Sequence, residues 1–272
     1  MTLTLSQDFG FSQNTMDLMQ RSGAWIAIVG PDGSGKGTVI ENLEFIFNAV
    51  VGATNLLPIR YPGGLIETEY LRDKITKGEP EDLTAEAESH LLAINRKINY
   101  DNAIKPARDN IAWVLSDRWL PCAYAYQGAG RHLGTERVEE INRYVCNGVA
   151  DPDCVFILDI DPEVSYSRAL ESIEKTGDRS RRFEKFGLDL QKNVMQSYRE
   201  QAERDPHRFH LINASGTPYE TACNAGQKLN LLLQSGKIKP DPHLEKPSLA
   251  SQARVPHTVL RRVHHERPGM RP

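Results

Sequence analysis

Cysteine, long apolar runs and charge of one sign are all scarce in this 272-residue chain. Each shortage removes a class of function. Its four cysteines, Cys122, Cys146, Cys154 and Cys223, form no CxxC pair. That argues against a disulfide framework or a zinc ribbon and for reduced thiols in a cytoplasmic protein. No apolar stretch is long enough to span a bilayer, and residues 1–20 lack the basic-then-apolar order of a secretion signal, so no membrane partner is expected. Lys and Arg number 33 against 36 Asp and Glu, a net charge of −3 that gives no reason to expect nucleic acid. What remains, 39% hydrophobic and 25% charged, suits a soluble globular domain with a sizeable core.

The most informative stretch is Trp25-Ile26-Ala27-Ile28-Val29 followed by Gly30-Pro31-Asp32-Gly33-Ser34-Gly35-Lys36-Gly37-Thr38. An apolar, β-branched run feeds a glycine-rich turn, and a lysine stands where a helix begins. Glycines let backbone N–H groups turn inward as an anion nest, and the helix adds the positive end of its dipole. Lys36 can reach the terminal phosphates of a nucleotide. The residue after the lysine is Gly37 rather than the usual Ser or Thr that ligates magnesium; Thr38 follows it. Adenylate kinases share this Gly-Lys-Gly-Thr wording. The helical spacing of Val39, Leu43, Ile46 and Phe47 completes the strand–loop–helix context.

Four further segments read as buried strands: Leu56 to Tyr61, Ile111 to Ser116, Cys154 to Ile160 and Phe209 to Asn213. Charged, helix-like stretches separate them, so a parallel sheet covered on both faces is expected, with ligands beyond the strands' C-terminal ends. Leu83, Ala87, Leu91, Ile94 and Ile98 form an apolar stripe on one long helix; Val194, Tyr198 and Ala202 suggest another. Residues 1–21 read as an N-terminal extension, 22–234 as one P-loop domain, and 235–272 as a basic, Pro-rich tail too polar to pack. After the predicted strands come Arg60-Tyr61-Pro62-Gly63-Gly64, then Asp117-Arg118-Trp119, then Tyr126-Gln127. Two arginines at strand ends suit a second phosphate, because guanidinium forks bind phosphate oxygens bidentately. The segment Lys175 to Glu184, with Arg179, Arg181 and Arg182, reads as a mobile lid whose arginines close over a transferred phosphoryl group.

As a set, these motifs resemble the thymidylate kinases over roughly residues 22–234. The phosphate loop is matched by Gly30, Asp32, Gly33, Gly35 and Lys36. The family's Arg-Glu-Pro-Gly-Gly is matched by Arg60, Pro62, Gly63 and Gly64, with Tyr61 in place of glutamate. Arg96, Ile104-Lys105-Pro106-Ala107, Asp117-Arg118 and Leu158 to Glu163 follow in the family's order. The resemblance implies a three-layer P-loop kinase fold, a five-stranded parallel sheet flanked by helices, with a mobile lid. It also implies magnesium-dependent phosphoryl transfer from ATP to a deoxynucleoside monophosphate, dTMP foremost, by a homodimer. Lys36 would neutralise donor phosphates, and Asp32 would organise the acceptor. Arg60 and Arg118 would hold the acceptor phosphate, Asp117 and Thr38 would serve magnesium, Arg96 would reach the base, and Arg168 would lie along adenine. Gly33 stands where some members place a catalytic arginine; Arg179 and Arg182 would supply it from the lid. Departures cluster at the acceptor base: Leu92 replaces a stacking phenylalanine, Ile98 and Cys122-Ala123 replace polar residues, and Trp119 enlarges the aromatic that crowds the sugar. Another or a modified base, a deoxynucleoside kinase, and a nucleotide-binding module without catalysis are the competing readings. The Arg60-Pro62-Gly63-Gly64 clamp disfavours the second, and Lys36, Asp32 and Arg118 disfavour the third.

Overall fold

A computed structural model describes residues 8–177, 182–238, 255–260 and 263. Five parallel strands, β1 (Trp25–Val29), β2 (Leu56–Arg60), β3 (Trp113–Asp117), β4 (Cys154–Asp159) and β5 (Phe209–Asn213), form one sheet in the order β2-β3-β1-β4-β5. All five predicted strands are present, within a few residues at each end. Central β1 is buried along its whole length, as its unbroken apolar run requires. Trp25, Ala27 and Val29 enter one core layer, and Ile26 and Ile28 enter the other. This strict alternation sets the sheet between two helical layers.

Helices α1 (Gln13–Arg21), α2 (Lys36–Val50) and α10 (Pro218–Gln234) pack on one side. The other side carries α4 (Ala85–Asn99) and α9 (Leu188–Arg204). Between these in the chain come α3 (Glu69–Thr76), α5 (Lys105–Asp109), α6 (Leu120–Ala123), α7 (Thr135–Val145) and α8 (Pro162–Thr176). Helix starts follow local chemistry. Asp161 accepts the Glu163 N–H at 2.8 Å ahead of Pro162, and Thr217 and Glu220 cap α10 reciprocally. A wide-turned segment, Tyr124–Gly130, continues α6 and packs on α9.

The expected stripe on α4 is only partly right. Ile94 is 42% exposed, while Glu88, Asn95, Arg96 and Asn99 are buried. The polar face turns inward because partners wait there: Asn99 donates to Gly63 O at 2.6 Å, and Arg96 to the Tyr61 hydroxyl at 2.9 Å. Apolar periodicity cannot report such a face.

The described residues ahead of β1 pack against the domain. Phe9, Phe11 and Met19 are buried, and the Tyr219 hydroxyl donates to Asp8 at 2.6 Å. A Cβ on Gly226 would lie 2.3 Å from the Phe9 ring, so α10 is notched to receive it. The stretch read as an unpacked tail also contributes contacts. Val255, Val259 and Val263 are buried at four-residue spacing, the Val255 N–H donates to Thr54 O at 2.9 Å, and Val263 bridges Leu65. Three apolar residues spaced by four among prolines and basic residues gave too weak a period to notice. Residues 239–254, 261–262 and 264–272 of that stretch, and Arg179 of the expected lid, lie outside the described residues.

Candidate active site

Beyond the C-terminal ends of β1, β2 and β3 lies a cleft of about 490 Å³. Its floor is the turn between β1 and α2. Gly33 and Gly35 take φ of +80° and +84°, a left-handed conformation costly for other residues. A Cβ on Gly35 or Gly37 would meet open space, so this face of the loop is free for a ligand. Gly33 differs: a Cβ there would sit 1.9 Å from Ser165 O of α8. Any loop arginine at this place is sterically excluded while α8 packs on the turn. Ser34 is buried within the turn, and Gly30 and Pro31 turn their carbonyls to Lys36 at 3.1 and 2.7 Å.

Lys36 is 3.8 Å from Asp32. Burial, then repulsion from Arg118, pull its ammonium down to about 8, against the support of Asp32 and Asp117. It is thus a cation held at a cost, and a polyanion would relieve that cost. Burial alone would raise Asp32, but Arg118, Lys36 and the Tyr126 hydroxyl, donating at 2.8 Å, hold its carboxyl below the ordinary range. Arg118 donates to Asp32 and, at 3.3 Å, to Gly30 O. Its φ of +69° is unusual for a residue with a side chain. That backbone turn swings the guanidinium from the end of β3 back over the phosphate loop.

Lys36, Asp32, Gly33, Gly35, Gly37, Leu92, Asp117, Arg118, Tyr126, Gln127 and Arg168 all line the cleft. Arg168 comes from α8 with Ser172, Ile173 and Thr176, and donates to Gly216 O at 3.4 Å. Thr38, on the first turn of α2, is part-exposed but off the lining.

Four expected site residues are placed elsewhere. Arg60 is paired with Glu69 at 2.7 Å, whose other oxygen accepts the Gly64 N–H. It braces the glycine turn, and Arg72 reaches the cleft instead. Arg96 is 1% exposed behind Tyr61, and donates to Tyr61, Asn142 and the Cys146 sulfur. Trp119 is fully buried, edge-on to Trp25 with ring centroids 4.8 Å apart and tilted to Tyr61 at 5.4 Å. The aromatic rings that face the cleft are Tyr61, Tyr126 and Phe183. Arg182 is also fully buried, bound to Glu88 and to the carbonyls of Glu79, Pro80 and Leu83. It pins the end of the segment expected to form a lid to the loop before α4.

Arg72 was missed by sequence reasoning. It lines the cleft and donates to Pro62 O at 3.0 Å. Burial and the neighbouring Arg60 work against its charge, which again favours an incoming anion. The only available signal was an arginine one helical turn beyond Thr68 on the helix after Gly63-Gly64.

The chemistry this arrangement offers is electrostatic. One cradle, glycine turn plus Lys36, faces a second cationic group, Arg118 and Arg72, across Asp32. Two phosphate groups can be brought end to end there.

Comparison with known proteins agrees. The thymidylate kinase family model matches residues 28–224. The thymidylate kinase of Oenococcus oeni is 34% identical over 207 residues, 76% of this chain and 95% of that protein. That of Ruthia magnifica is 35% identical over 217 residues, 79% and 99% of the two chains. A crystal structure of thymidylate kinase from Ehrlichia chaffeensis shares the fold with a TM-score of 0.60 at 23% identity, covering 78% of this chain and 99% of that one. With the glycine turn, Lys36, Asp32 and Arg118 gathered in one cleft and a family match across most of its length, the chain belongs to the thymidylate kinase family, enzymes that phosphorylate nucleoside monophosphates.

Proposed function

We propose that the protein transfers the γ-phosphoryl group of ATP to the phosphate of dTMP, giving dTDP and ADP. The observation that carries this is the facing pair of cationic sites, Lys36 with its glycine turn against Arg118 and Arg72. An acceptor phosphate oxygen forms the new bond to the γ-phosphorus as the bond to the ADP oxygen breaks. The acceptor phosphate is already anionic, so no general base is required. Lys36 offsets charge on the transferred group, and Arg118 and Arg72 hold the acceptor in line. Asp32 fixes Arg118, and Tyr126 fixes Asp32.

Magnesium fits the same place. Oδ1 of Asp117 is buried at the cleft without a hydrogen-bond partner among the described residues. No cluster of three His, Cys, Asp or Glu among the described residues would hold a metal alone. That suits an ion shared among one carboxylate, substrate phosphates and water. Asp117 would hold it, with the Thr38 hydroxyl on the first turn of α2 as the second ligand the sequence offers. When bound, the ion neutralises charge on the donor phosphates. Arg179, outside the described residues, is the lid arginine we assign to the transferred group.

The reading includes a cytoplasmic homodimer. Its four cysteines are free thiols, and no helix of the described residues is long and apolar enough to cross a membrane. Exposed Ile94, between half-buried Leu91 and Ile98, leaves an apolar stripe on α4 that a second copy would cover.

A coupled ADP-release assay across nucleoside monophosphates tests the substrate. The highest kcat/KM is expected with dTMP; a different preferred acceptor, or ADP release that needs none, would overturn it. Arg72→Ala and Arg118→Ala are each expected to weaken dTMP binding by about 1.5–3 kcal/mol, roughly 10- to 150-fold, with far less effect on ATP. Separate calorimetric titrations check this, and equal losses for both ligands would refute the two-site picture.

A further inference from the structure

Gln127 lines the cleft beside Leu92, Cys122 and Ala123, and its orientation is set from outside. Its amide nitrogen donates to Oε2 of Glu88 at 3.0 Å. Glu88 is fully buried, one helical turn before Leu92 on α4. Its other oxygen accepts from both Arg131 and Arg182. Those guanidiniums are themselves tied down: Arg131 to Leu83 O at 3.0 Å, Arg182 to Glu79 O and Pro80 O, each at 2.7 Å. The carboxylate therefore has one position. A carboxylate only accepts hydrogen bonds, so the Gln127 amide cannot turn over without setting oxygen against oxygen.

We infer that Glu88 is a specificity-determining positioning residue, holding the amide nitrogen of Gln127 away from the cleft so that its carbonyl oxygen faces the acceptor base. This rests on the reading of the cleft as a nucleoside monophosphate site. A carbonyl oxygen rewards a base whose ring edge carries an N–H, as the imide of thymine does. Cytosine presents a ring nitrogen lone pair there and would meet repulsion. Leu92 and Ala123 separate bases by shape alone, a weak discriminator, so polar selection falls on this amide.

The test compares kcat/KM for dTMP and dCMP in wild type, Glu88→Gln and Gln127→Leu, with thermal melts alongside. A carboxamide at position 88 both donates and accepts, which frees Gln127 to turn. The dTMP-to-dCMP ratio should fall about tenfold or more in Glu88→Gln, through a lower KM for dCMP, with KM for ATP unchanged. Gln127→Leu should lose dTMP activity without gaining dCMP. A merely structural Glu88 would lower both acceptors together and leave the ratio intact, overturning the inference. If Glu88→Gln does not fold, Glu88→Asp keeps the charge but withdraws the carboxylate; an unchanged ratio there overturns it equally. Wild-type turnover separates the two claims. No turnover of dTMP defeats the proposed function, whereas normal turnover with an unaltered variant ratio defeats only the role of Glu88.

Discussion

Replacing Lys36 with alanine is expected to lower kcat by about 10³-fold, the upper range for removing one preorganised group that meets transition-state charge. The fold should survive. In the nucleotide-free protein the ammonium donates to two loop carbonyls, but burial and Arg118 hold its pKa at about 8 rather than 10.5. A lysine whose folded pKa is depressed destabilises the fold while charged, below about 8. That deficit is recovered as pH rises from about 8 toward 10.5, where the folded form has shed its proton and the unfolded form has not. Lys36→Ala should therefore melt no lower than wild type at pH 7. The same group predicts that ATP affinity falls as pH rises above 8, by up to about tenfold per unit, because binding must then return a proton. Calorimetric titrations with ATP at several pH values check the slope. A flat profile through pH 9, or near-wild-type turnover in a folded Lys36→Ala protein, would remove lysine from this role.

The second large effect concerns stability. Arg182→Ala is expected to destabilise the protein by about 3–5 kcal/mol, as breaking a buried ion pair does, and to lower Tm by about 10 °C. The side chain is fully buried and donates to Glu88 and to four carbonyls, Ile75, Glu79, Pro80 and Leu83. Without it those acceptors lose a shared donor in a place water does not reach. Arg131 still faces Glu88, which favours the lower end of the range. Thermal melts and kcat measured together decide the role of Arg182. An arginine that acts only on the transition state would lower kcat and leave the melt alone, the opposite pattern.

Arg182 also shows where sequence reasoning stops. A basic run between two helices reads as solvent-facing or as a lid, and nothing in the run says that its last arginine is buried. The partner, Glu88, lies 94 residues away. Sheet and phosphate loop were legible because their signals are local: apolar runs of strand length, and glycines at the positive-φ positions of the phosphate loop. Asp32 and Lys36 were legible from the glycine loop between β1 and α2, and Arg118 because it directly follows β3. Trp119 has the same position but points the other way, into the packing of Trp25 and Tyr61. Position in the chain gave its place and not its direction. Arg72 lines the cleft where Arg60 was expected, and Arg60 is paired with Glu69. Such exchanges depend on side-chain geometry across a turn, which no spacing rule records.

The measurement closest to the central claim is a single-turnover reaction with ATP labelled at the γ-phosphate, magnesium and dTMP. The label should appear in the β-phosphate of dTDP, one for each ADP formed, and Lys36→Ala should stop its transfer. Label released as inorganic phosphate rather than carried to dTMP would contradict a cleft built to bring two phosphates together.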